Sequence, residues 1–250
     1  MSDVVAVDAQ SGQPGLSQVE RVVDTFVAPS KTFTDILRDT SWWLPFLLAV
    51  VVSIGVTYTI DRQVGFGRVV ENVILDSPKQ EDQMQSLPPD QRAARVSAMT
   101  GGYRYVSYAT PVIILIISAI GALINWASFN VGLGAKTTFG QMFCVWMYAS
   151  LPRLLSGLLT MVTLLFGSSA ESFNIKNPVG TNPAYFMPDA APWLKTALGF
   201  LDVVGIWNLV LLVIGTSIVA KVSRGKAAAV VVGWWVIVLV LSVITAAVSG

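Results

Sequence analysis

The chain has 250 residues, of which 54% are apolar and 12% charged, with 16 basic and 15 acidic side chains and no histidine. A water-soluble domain carries about a quarter charged residues, so much of this surface is built to face lipid. The balanced charge speaks against nucleic acid, which needs a concentrated cationic face. The missing histidine removes the commonest general base and metal ligand, so no cofactor, metal site or catalytic set is expected.

Residues 1–18 are polar and punctuated by Gly and Pro, and read as a disordered tail without the features of a signal peptide. Ser17 with Glu20 three residues on forms a capping-box signature, and Val19, Val22, Val23 and Phe26 follow on one helical face. A second short helix is predicted from Pro29, with Phe33, Ile36 and Leu37 at helical spacing and Lys31 and Arg38 on the polar side. Trp42 and Trp43 come directly after. The segment is therefore predicted to lie in the headgroup plane, with Lys31, Phe33, Trp42 and Trp43 as anchors. The alternative is a helix pair packed on the rest of the protein.

Five apolar spans are predicted, at about 42–60, 108–128, 141–166, 198–220 and 227–248; crossing roughly 30 Å of hydrocarbon takes about 20 helical residues. The polar connection 61–107 reads as amphipathic helices that cap the bundle or rest on the membrane, because it has too few apolar residues for a core of its own. A Gly-rich link around Phe129–Phe139 and an Asn/Pro-rich loop over residues 167–192 join the central spans. The fold class is thus all-α, a polytopic bundle of five transmembrane helices with interfacial helices added. Lys221, Arg224 and Lys226 crowd one tight turn, which the positive-inside rule places in the cytoplasm. That puts the amino terminus inside and the carboxy terminus outside.

An ionisable side chain at bilayer depth is expensive and marks a functional position by default. Arg153 lies about 15 Å into the third span, beside Pro152, whose missing amide hydrogen bends the helix. Asp202 is the sole carboxylate of the last three spans. Arg153 either pairs with it and pins two helices, or lines a polar cavity and binds an anionic headgroup. Asn125, Asn130 and Asn208 read as hydrogen-bonding contacts between helices.

Several stretches resemble the bacterial branch of the Yip family, five-span membrane proteins whose eukaryotic members interact with Rab-type GTPases. They are Ala28-Pro29-Ser30-Lys31-Thr32-Phe33 followed by Trp42-Trp43-Leu44-Pro45, then Tyr148-Ala149-Ser150-Leu151-Pro152, and Leu201-Asp202-Val203 with Ile206-Trp207, Leu211 and Gly215. The resemblance implies an integral protein of a bacterial cytoplasmic membrane with a trafficking-like or membrane-organising role; it does not extend to binding a GTPase. Partners are then membrane lipids, and a membrane-protein partner or a second copy.

Two functions compete. A non-enzymatic scaffold predicts a closed bundle with Arg153 paired. A transporter, channel or lipid-handling protein predicts a cavity that meets Arg153. An intramembrane enzyme is disfavoured, since Ser156 has no evident base and no pair of membrane aspartates exists.

Overall fold

The computed structural model of the protein describes residues 15–167 and 169–249. Residues 1–14, most of the stretch read as a tail, lie outside the described residues. Everything described is helix, turn or loop.

Helix α1 (Gln18–Val27) starts as the sequence predicts: Glu20 N–H donates to Ser17 Oγ at 3.3 Å, and Ser17 N–H donates to Glu20 Oε2 at 2.7 Å. Helix α2 (Pro29–Asp35) begins on a proline, whose missing amide hydrogen costs nothing in a first turn. The pair does not lie apart from the bundle. Phe33 and Ile36 are fully buried, Phe33 against Gly215 and Val145, and Phe26 meets Trp207 edge-on at 5.5 Å. An amphipathic face serves a protein core as readily as a lipid surface, and here the inward face is taken by the core.

Helix α3 (Trp43–Gln63) is 21 residues long, about 31 Å at 1.5 Å per residue, and so spans comfortably where the apolar run alone is short. The connection then folds into three helices, α4 (Phe66–Leu75), α5 (Pro78–Gln85) and α6 (Pro89–Tyr108). Val70, Ile74 and Met84 form a small core between them with Val96 and Met99. Ile60, Phe66, Val69, Leu164 and Phe173 join this cap to the ends of α3 and of the third span.

Helix α7 (Thr110–Ala127) continues into a wider π-type turn over Ser128–Gly132. Helix α8 (Phe139–Ala149) is the centre of the molecule: Met142, Cys144, Val145, Met147 and Tyr148 are at most 1% exposed. It is packed by α7 and α11, with α1 and α3 at its edges. After a break at Ser150–Pro152, α9 (Arg153–Phe166) runs on against α3.

The predicted fourth span differs from expectation. It is not one helix over 198–220 but two, α10 (Pro192–Gly199) and α11 (Val203–Val219), bent by 48° at Phe200–Asp202. Asp202 caps α11 through its own side chain, accepting from Gly205 N–H at 2.6 Å, and that cap fixes the break. Helix α12 (Arg224–Ser249) follows a tight turn in which Lys221 adopts a left-handed φ of 54°. Four helical segments, Trp43–Gln63, Thr110–Gly132, Phe139–Phe166 and Arg224–Val248, are long and apolar enough to cross a membrane, and the bent pair makes a fifth span if it crosses as one.

Candidate functional site within the bundle

Two breaks interrupt the apolar helices, and each positions a polar side chain. The first, at Ser150–Pro152, interrupts the helical ladder so that the carbonyl of Ala149 loses its intrahelical partner. Asn208 on α11 supplies one, donating from Nδ2 to Ala149 O at 2.7 Å. The same amide accepts from Arg153 Nε at 3.1 Å through Oδ1. Asn208 is only 5% exposed, so one buried side chain satisfies the break in its neighbour and orients the arginine beyond it. Non-helical backbone is tolerated at this depth only where protein or a cavity covers it.

The second break, at Phe200–Asp202, is satisfied from the 167–192 loop. Val203 N–H donates to Thr181 O at 3.0 Å, and Asn177 and Asn182 exchange side-chain hydrogen bonds of 3.2 and 2.8 Å beside it. Asp202 spends one carboxylate oxygen on the α11 cap, while its buried Oδ1 has no partner among the described residues.

Between the two breaks lies a cavity of about 670 Å³. Its polar side is formed by Arg153, Asp202, Asn208, Asn125 and Lys176, and its apolar side by residues of α7 and α12 such as Ile120 and Val238. The volume is within the ordinary range of pockets for drug-sized ligands, roughly 300–1,000 Å³. A second, larger cavity of about 990 Å³ lies against the loop and the α4–α5 cap, bordered by Asn72, Asp76, Asp189 and Lys195. The two share Lys176, Asn177, Pro178, Asn182, Gly199 and Phe200 as a common wall.

The predicted positions fall out as follows. Arg153, Asp202 and Asn208 are brought to one cavity, with Pro152 buried at the break beneath them. Arg153 does not form an ion pair with Asp202: no carboxylate of the described residues approaches within 4.0 Å of its guanidinium. Asn208 bridges helices as expected, but Asn130 instead folds its own link, bonding to Thr137. Asn125 is 3% exposed and lines the cavity, with no side-chain hydrogen bond among the described residues. Of the expected headgroup anchors, Lys31 and Trp43 are exposed, whereas Phe33 belongs to the core and Trp42 packs edge-on against Phe46 and Phe143. Lys176 was not singled out by the sequence, since a lone lysine in a polar loop carries no signal of what it faces, and Trp146, which reads as a packing aromatic, lines the cavity too.

A second arginine was also missed. Arg21 is fully buried, donates from Nε to Asp35 Oδ2 at 2.6 Å and reaches Asp39 at 3.3 Å. Burial works to raise the Asp35 carboxyl, yet the hydrogen bonds and charges of Arg38 and Arg21 outweigh it and hold the group below its ordinary range.

No curated protein and no solved structure matches the chain. The model of the Yip1 domain matches residues 23–245, from the middle of α1 to the last turn but one of α12. With that match over nearly the whole of its helical bundle, the chain belongs to the Yip1 domain family, a family of integral membrane proteins.

Proposed function

We propose that the protein is a non-catalytic membrane protein that holds an amphiphile in the cavity between its two helix breaks and organises the surrounding bilayer through it. One observation carries the reading: Arg153, midway along the apolar segment Phe139–Phe166, opens into a cavity with only a neutral amide as hydrogen-bond partner. An uncompensated charge there costs at least about 2.5 kcal/mol, and an anionic ligand offsets that cost. Membership of a membrane family and the absence of histidine from the sequence support a binding role over chemistry. The test is to purify the protein and its Arg153→Leu variant from the same membrane and compare their co-purifying lipids by mass spectrometry. Retention of one lipid class by the parent and its loss in the variant is the expected result; identical profiles overturn the reading.

A second reading, a scaffold for a protein partner or a second copy, is favoured by one surface. Val19, Val23 and Val27 of α1 are 65%, 54% and 73% exposed in a row four residues apart. Replacing all three by Ser and weighing the complexes extracted in mild detergent tests it: an unchanged mass removes that role.

For placement, the cationic turn after α11 supports a cytoplasmic amino terminus and an outer carboxy terminus, provided the bent α10–α11 pair crosses the bilayer. A reporter fused after Gly250 decides both points together. Activity on the cytoplasmic side alone would mean that α10–α11 turns back.

A further inference from the structure

Helix α1 touches the bundle at both of its ends, and both contacts lie well inside the apolar segments. At its start, Tyr148 Oη donates to Gln18 Oε1 at 2.7 Å, and Tyr148 stands nine residues, about 14 Å, into Phe139–Phe166. At its end, Phe26 meets Trp207. Trp207 is the neighbour of Asn208, which bonds to Ala149 and Arg153 midway along the same segment. Helix α1 therefore lies across the bundle, beside the apolar segments and not above them. The one cation it carries at that level, Arg21, is fully buried and closed off by Asp35 and Asp39, as a charge kept from hydrocarbon has to be.

At about 100° per residue, α1 divides into three arcs. Arg21, Val22, Thr25 and Phe26 form the inward arc, turned to the core. Val19, Val23 and Val27 form the second and are exposed. Glu20 and Asp24 form the third. Apolar residues scattered singly over a surface need no explanation, but these three form one row beside a charged flank. A helix in a lipid–water boundary has this division: an apolar flank for the acyl region and a charged flank for water. The neighbouring surface is of the same kind. Helix α1 packs on α3, whose Trp43 and Leu47 are exposed at the start of the first apolar segment.

We infer that α1 is an in-plane membrane helix whose valine row is a contact surface for acyl chains of the leaflet in which α3 begins, with Glu20 and Asp24 turned to water. The occupant of the row is the bilayer, because lipid is what surrounds a membrane bundle at the level of Tyr148 and Trp207. A protein occupant would itself have to be embedded in the membrane, a second copy above all. Anchoring thus passes from Phe33 and Trp42, which serve the core, to Val19, Val23 and Val27. Because the outer flank carries carboxylates, apolar contact alone holds the row, and anionic headgroups add nothing to it. The surface is separate from the Arg153 cavity, and neither assignment depends on the other.

The experiment places a nitroxide label on the full-length protein through Val23→Cys, Val27→Cys or Glu20→Cys, one at a time. All three side chains are exposed, so the label displaces no packing, and Cys144, the native cysteine, is buried. Unsubstituted protein carried through the same labelling sets the background. In phosphatidylcholine vesicles, electron paramagnetic resonance reads collisions of the label with oxygen, which concentrates in hydrocarbon, and with a nickel chelate, which stays in water. Labels at positions 23 and 27 are expected to meet oxygen freely and to be shielded from nickel several-fold relative to the label at position 20. Nickel access at 23 and 27 equal to that at 20 overturns the inference and puts the row in water. Shielding from oxygen and nickel together overturns it in favour of a protein cover. Spectral broadening that disappears on dilution with unlabelled protein overturns it as well, and identifies the cover as a second copy.

Discussion

Two arginines in this protein are held by the helical bundle, and they are treated in opposite ways. Arg21 is sealed: nothing of it is exposed, and Asp35, Asp39 and the Ser41 carbonyl surround its guanidinium. Arg153 is left open, with one amide partner and a cavity in front of it. A charge whose neighbours neutralise it completely fixes the fold and has nothing left to offer a ligand. A charge oriented by a neutral group keeps its full attraction and is held ready to use it. The comparison teaches how to tell a structural cation from a binding one: the first is closed off by its counter-charges, the second keeps its guanidinium open.

The largest expected effect tests the sealed side. Arg21→Met leaves Asp39 without its ion pair and Asp35 with Arg38 alone, and breaking a buried pair costs about 3–5 kcal/mol. The melting temperature in detergent should fall steeply, whereas Arg153→Met should change it little and affect only bound lipid. Equal losses from both substitutions would erase the distinction between the two sites.

Next in size is the seat of α2. A Cβ on Gly215 would lie 2.6 Å from Val145 Cγ1 and 2.8 Å from Phe33 Cδ1, so Gly215→Ala must push α2 or α8 aside. Overpacking of this kind costs about 1–3 kcal/mol, measurable as a lower melting midpoint and faster proteolysis between α1 and α3. Gly121→Ala, where a Cβ would overlap the Trp146 indole, should instead drive that ring into the cavity and weaken lipid retention more than stability.

The acid limb sharpens the contrast further. The Asp35 carboxyl is held below its ordinary range, so its charge stabilises the fold at every pH above the unfolded value of about 3.9 and is lost as pH falls through the lower folded value. Thermal stability should stay flat from pH 7 to about 4.5 and decline below about 4. In Asp35→Asn that final decline should be shallower. The smallest effect belongs to the contact between α12 and the turn after α7: Trp234→Phe removes one hydrogen bond to Ser128, worth about 0.6–1 kcal/mol in a membrane, and should speed lipid exchange with little change in melting.

How much of this could be read in advance varies from element to element. The Ser17–Glu20 cap, the four long apolar segments and the break at Pro152 were all written in residue types whose local physics is unambiguous. The break between α10 and α11 was not, because Phe200 and Leu201 are apolar and the hydropathy runs straight through them. Asp202 three residues before Gly205 was the one local sign of a new helix start. The amino-terminal pair shows a deeper limit: spacing says that Val22, Phe26 and Phe33 share a face, but not whether protein or lipid covers it. The cavity was legible only as a cation and a proline side by side. That Asn208 answers both of them, and that Lys176 joins from a loop, depends on contacts across more than 20 residues of sequence, which no local pattern encodes.

The cap over the bundle carries a consequence for how the chain is made. Asn72 donates to the carbonyls of Ala170 and Phe173, and Asp76 pairs with Lys195 at 2.9 Å, so α4 is tied to segments synthesised about a hundred residues later. During synthesis, α4 to α6 wait without these partners until the loop and α10 have emerged, and the larger of the two cavities takes shape last. A chain arrested before Pro192 would therefore carry Arg153 but neither Asp202 and Asn208 nor the wall of α10 and α12 that completes the cavity.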